Sequence, residues 1–96
     1  MKAYVIVQET VSDQKLFDDY RSNVMATLTE FAGRFIIRGG NLTIVEGEWP
    51  HQRTVVLEFP SRDAAESWYK SPAYQKVLPL RMSSCTGNLV VIDGIE

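Results

Sequence analysis

A chain of 96 residues and 10.9 kDa makes one domain, spanning 1–96, and should bury about 65% of its open-chain surface without disulfides or metal. A content of 45% hydrophobic and 23% charged residues excludes a disordered tail or a fibrous repeat. Ten basic residues against twelve acidic leave no surplus for nucleic acid, and the single Cys85 excludes an internal disulfide and suits a reducing, cytoplasmic setting.

The first apolar run ends at Val7, too short for a signal peptide or a membrane span, so neither is expected. Ala3 to Val11 (AYVIVQETV) reads as a strand, apolar on both faces in its first half. Ser12 or Asp13 then caps a helix whose stripe is Leu16, Phe17, Tyr20, Val24, Leu28 and Phe31, with Gly33 as its terminal glycine. RFIIR (34–38) and LTIVE (42–46) both carry β signal and flank Gly39-Gly40-Asn41. A hairpin at those glycines would send the next strand the wrong way, so Arg34 to Gly47 is expected to be one long strand kinked at the glycines. Glu48 to Gln52 then forms the hairpin turn, setting Val45 opposite Val55 and Leu42 opposite Glu58. Arg53 to Phe59 (RTVVLEF) is a strong strand. Ser61 caps one helical piece, and Ser71-Pro72 starts a second that Pro79 should kink or end, giving a broken helix between Ser61 and about Ser83. Asn88 to Asp93 (NLVVID) is the last strand.

The order β-α-β-β-α-β is that of an α+β ferredoxin-like plait with an antiparallel sheet. Its helices cover one face only, yet Ile6, Val56 and Val90 sit among apolar neighbours of both parities. The uncovered face measures about 380 Å² in flat projection, more than a monomer usually leaves exposed. Two such sheets packed face to face, a homodimer, are the simplest cover.

The ordered set Gly33-Arg34-Phe35, Arg38-Gly39-Gly40, Glu46-Gly47-Glu48-Trp49, Val56 to Ser61, Trp68-Tyr69, Ser71 to Tyr74 and Arg81 resembles a small bacterial family of uncharacterised function. That family belongs to the dimeric α/β-barrel superfamily, and the resemblance spans nearly the whole chain. It departs at Ala73, where an acidic residue is expected, and at Gln14, where proline is frequent. It implies a plait monomer and a barrel dimer, and no particular reaction. The wider superfamily includes cofactor-free oxygenases, isomerases, haem-binding enzymes and small-molecule sensors.

Among chemically useful side chains, Glu58 shares a strand face with Thr54 and Val56, opposite Val55, Leu57 and Phe59. Between two paired sheets it would act as a proton-transfer group, unless it reaches solvent or pairs with Arg38. Arg38 precedes the glycine kink and could hold a carboxylate or enolate bidentately, or simply neutralise Glu58 or Glu46. Taken together, Arg38 and Glu58 are expected to share one site. His51 reads first as a solvated turn residue, and as a base only if its turn reaches over a pocket. Trp68, Tyr69 and Tyr74 form an aromatic group that packs on the sheet, with Trp68 and Tyr74 as candidate pocket walls. Arg81 offers a second cation for a ligand or an ordinary surface charge, and Cys85 reads as a small buried hydrophobe. One histidine and one cysteine cannot assemble a metal or haem site of ordinary ligand count, so no metal or cofactor is expected.

Three readings follow. The pocket between sheet and helices binds a small organic molecule and turns it over as a cofactor-free enzyme of oxygenase or isomerase type; or it binds without turnover; or the chain is a structural or accessory homodimer with no ligand. None of these involves nucleic acid or a membrane.

Overall fold

A computed structural model describes all residues from Met1 to Glu96. Four strands and three helices follow in the order β1 (Ala3–Val11), α1 (Gln14–Leu28), β2 (Arg34–Arg38), β3 (Arg53–Phe59), α2 (Arg62–Lys70), α3 (Pro72–Ser84) and β4 (Cys85–Asp93). The sheet runs β2-β3-β1-β4 and every neighbouring pair is antiparallel, which is the ferredoxin-like plait. No helix is long and apolar enough to cross a membrane.

Local sequence sets most boundaries. The Asp13 carboxylate accepts from the Leu16 N–H at 3.1 Å and starts α1. The Ser61 hydroxyl accepts from Ala64 N–H at 3.0 Å to start α2, and Ser71 does the same for Tyr74 N–H at 3.2 Å in α3. Pro72 occupies the first turn of α3, where its missing N–H costs nothing. Pro79 does not end α3, which continues to Ser84, next to the expected boundary near Ser83. Pro79 lies on the exposed side, so water can take the carbonyl it leaves unbonded.

The end of α1 also differs from the reading. A 3₁₀ turn (Thr29–Phe31) follows, and Ala32, not Gly33, adopts the left-handed conformation (φ 56°, ψ 32°). Gly33 is required for another reason: a Cβ there would lie 2.6 Å from a ring carbon of Phe59.

The long kinked strand does not form. A bulge lies at Ile36, between Phe35 and Ile37, earlier than the glycines. Gly39 then turns away with φ +70°, its N–H closing a last rung to the Thr54 carbonyl at 2.9 Å. Beyond it β3 has no further residues to offer, so Leu42–Glu46 pairs with nothing in the chain and residues 41–50 are exposed. The expected hairpin at Glu48–Gln52 is absent for the same reason. Val55 faces Arg38 and Val7, and Glu58 faces Arg34 and Tyr4. At the other edge β4 begins at Cys85, three residues before the expected Asn88, because β1 is long enough to pair with all of it.

The core lies between the sheet and the helices. Val5, Val7, Val55, Leu57 and Phe59 project from the sheet onto Val24, Leu28, Ala65, Trp68 and Tyr74. The opposite face has no cover. Ile37, Val90 and Ile92 are each about half exposed there, and the molecule is a slab of 31 × 29 × 16 Å. Its surface of 6103 Å² exceeds the roughly 5,600 Å² usual for a monomer of this mass.

Candidate functional site

The densest polar chemistry sits on the helix-facing side of the sheet, around Glu9. Position 9 has the parity of Val5 and Val7, so β1 carries this carboxylate straight into the core, where it is 3% exposed. A buried carboxylate persists only with partners. Glu9 has two: Arg53 Nε at 3.1 Å on one oxygen and Arg81 Nε at 3.3 Å on the other. The Cys85 thiol lies 3.7 Å from the second oxygen and also donates to the Arg81 carbonyl at 3.2 Å. The Arg53 guanidinium stacks over the Phe17 ring at 5.1 Å and leans on Gly39, where any Cβ would collide with it.

Beside this cluster, Tyr20 and Tyr74 share an O–H···O bond of 2.9 Å, and the Trp68 indole donates to Thr27 Oγ1 at 3.0 Å. Burial, then the neighbouring phenol, pushes the Tyr20 pKa far above its ordinary value. Burial raises Tyr74 too, so both phenols are neutral hydrogen-bonding groups at physiological pH. Burial, reinforced by Glu9, raises the Cys85 thiol, which excludes a reactive thiolate.

These groups enclose a narrow cavity of about 30 Å³ between α1, β1 and β3. Its walls include Val7, Val55, Leu57 and Trp68, with Glu9 as the one carboxylate and Arg21, Arg38, Arg53 and Arg81 as cations. Arg21 pairs outside with Asp18 at 3.8 Å. Arg38 has no acid partner: it lies 4.1 Å above the Phe35 ring and 3.5 Å from the Arg21 carbonyl. Burial, then repulsion from Arg21 and Arg53, lowers its pKa from the ordinary arginine value. Two guanidinium groups therefore hold the one carboxylate, and Arg38 lines the same cavity without an acid partner. On the far side of Arg81 an open groove of about 610 Å³ runs between α2, α3 and the β4 edge, and Arg81 and Leu89 line both spaces.

The expected residues divide. Arg38, Trp68 and Arg81 line the cavity, and Tyr74 packs against Trp68 in a tilted contact with ring centroids 4.2 Å apart. Arg81 is buried at 6%, which removes the surface alternative. Glu58 is elsewhere. It lies on the open face, bonded to Arg34 at 2.6 Å, Tyr4 at 3.4 Å and Lys2 at 3.5 Å. Arg38 opposes Val55, three positions along β3 from Glu58 and on the other face, so the two do not share a site. The reason is the register: with Arg34 rather than Leu42 opposite Glu58, the arginine reaching that carboxylate is Arg34. His51 contacts Thr10 Oγ1 at 2.8 Å, also remote from the cavity. Glu9, Arg53 and Tyr20 were not singled out by the sequence reading. Strand parity was the signal for the first two, since Glu9 continues the Val5, Val7 face and Arg53 the Val55, Leu57 face.

A profile for a domain of unknown function, DUF1330, matches residues 2–95. The chain belongs to the DUF1330 family. No curated protein matches it. Among solved structures, a protein of unknown function from Rhodopseudomonas palustris aligns with a TM-score of 0.81 at 11% identity, over 99% of this chain and 83% of that one. SnoaB, a cofactor-independent oxygenase from Streptomyces nogalater, aligns at 0.66 with 12% identity, over 99% and 94%. A dimeric ferredoxin-like protein of unknown function from Jannaschia sp. CCS1 aligns at 0.66 with 17% identity, over 98% and 100%. At these identities the likeness is one of fold.

Proposed function

We propose that this DUF1330 chain, acting as one domain over residues 1–96, binds a small organic anion whose charged head lies against the arginines of the sheet–helix cavity. The observation that carries this reading is the charge imbalance: Arg38, Arg53 and Arg81 line a cavity whose one carboxylate is Glu9. Uncompensated charge in a partly dry site is unfavourable, and an anion is the group that relieves it. Arg38, free of any carboxylate, is the anchor. Val7, Val55, Leu57 and Trp68 keep the head dry, which strengthens each charge-assisted bond. Oxygenase chemistry of the kind named for SnoaB, or isomerase chemistry, asks for a proton acceptor. Glu9 is the one acid present and is held by two guanidinium groups, so binding without turnover is favoured.

We place the protein in the cytoplasm as a homodimer joined through the uncovered sheet face. The half-exposed Ile37, Val90 and Ile92, the surface excess and the dimeric state of the Jannaschia protein support the dimer. The free Cys85 supports the compartment.

The test is a calorimetric panel of one- and two-ring carboxylates, each beside its neutral amide. Carboxylates should bind, amides should not, and Arg38→Met should weaken binding at least about tenfold, the worth of one charged hydrogen bond. Equal affinity for acid and amide, or an indifferent Arg38→Met, would overturn the reading.

A further inference from the structure

The cavity of about 30 Å³ holds a group the size of one or two waters, enough for a carboxylate head and nothing larger. An organic anion bound there has to keep its body elsewhere. The adjoining groove of about 610 Å³ is the right size for one, and its walls include Tyr69, Met82, Leu89 and Val91 with Lys70 at the side. The Arg81 side chain and Leu89 line both spaces.

Resting on the anion-binding reading, we propose that the groove is the second half of the ligand site and that the Arg81–Glu9 ion pair is the door between the halves. The geometry makes this door easy to open for one class of molecule. Arg81 holds Glu9 by a single contact, Nε to Oε2 at 3.3 Å, while Arg53 holds the other oxygen at 3.1 Å. When Arg81 turns away, Glu9 keeps a cationic partner. Arg81 in turn exchanges one carboxylate for another, that of the incoming ligand, so neither charge is stranded. A neutral molecule of the same shape offers no such exchange and leaves a buried arginine unpaired. The door thus selects an acid with an apolar, ring-sized body: the head passes Arg81 to the arginine cluster, and the body stays in the groove against Leu89 and Val91.

The experiment is methyl NMR of the full chain titrated with 2-naphthoate and, separately, 2-naphthamide. Naphthoate should shift the Val91 methyls in the groove and the Val7 and Val55 methyls around the cavity along one saturation curve. Met82→Trp, an exposed position on α3 that would fill the groove, should weaken naphthoate at least about tenfold. Arg81→Met should narrow the preference for acid over amide at least about threefold, Arg38 supplying what remains, whereas Arg81→Lys should keep the wild-type preference. Shifts at Val7 and Val55 with Val91 silent and Met82→Trp indifferent would overturn the door while leaving the arginine site in place. Shifts at Val91 alone, with Arg38→Met indifferent, would overturn both the door and the anion-binding reading. Absence of any shift at millimolar naphthoate would count against both as well. Should Arg81→Met fail to fold, Met82→Trp and the methyl map decide alone.

Discussion

At the scale of single residues, parity decides whether a charge becomes chemistry or decoration. Glu9 and Glu58 are both strand carboxylates near apolar neighbours, yet they face opposite sides of the sheet. Glu9 is buried between two arginines, while Glu58 is held at the open face mainly by Arg34. The hydrogen bond from Arg34 is the chief cause of a Glu58 pKa below the ordinary glutamate value, with Lys2 adding to it. Because the folded-state pKa is the lower one, the stabilisation is complete above the ordinary glutamate range and is lost as pH falls through the folded value. Carbon-detected NMR titration should therefore show the Glu58 carboxyl protonating at lower pH than a free glutamate. Arg34→Met should move it back up; identical titrations of the two proteins would mean that the pair does not exist in solution.

At the scale of elements, the break between α2 and α3 is made by one hydroxyl. Ser71 Oγ accepts the Tyr74 N–H and donates to the Trp68 carbonyl at 2.7 Å, so it starts one helix while closing the other. Ser71 is buried, and its backbone N–H also reaches the Trp68 carbonyl at 3.1 Å, so the hydroxyl's cap on Tyr74 N–H is the bond without a substitute. Ser71→Ala should cost about 1–2 kcal/mol, the upper half of the range for lost caps, read from urea unfolding. A loss under about 0.3 kcal/mol would show that water replaces both bonds. Pro79 teaches the converse. A helix breaker on an exposed face is tolerated, because Val77, Leu78 and Arg81 hold the chain from the other side.

At the scale of the whole molecule, the uncovered sheet face governs association. Val56 and Val90 both flank Ile6 there, which sets them at the centre of the face. Val90→Asp should raise the dimer dissociation constant at least about a hundredfold, since association would bury an unpaired charge. The monomer fold should persist, because Val90 makes no part of the core. Sedimentation equilibrium at micromolar protein is the measurement. A wild-type chain that runs at 10.9 kDa across that range would sink the dimer.

The sequence by itself determined the plait. Period-two and period-3.6 patterns, the caps at Asp13, Ser61 and Ser71, and Pro72 at a helix start are local signals, and each acts within a few residues. It also determined that one sheet face would lack cover, since two helical regions cannot shield both. Strand register was different. LTIVE has strong β character, but a strand exists only where a partner offers unpaired backbone, and β3 ends too soon to offer it. That length mismatch leaves Arg34 rather than Leu42 opposite Glu58, and the bulge at Ile36 turns Arg38 toward the helices. Tertiary structure likewise decided the site. Arg53 and Arg81 stand 44 and 72 residues from Glu9, in pairs that no local pattern links. Closing β1 against β3 on one side and β4 on the other is what brings three distant charges to one place.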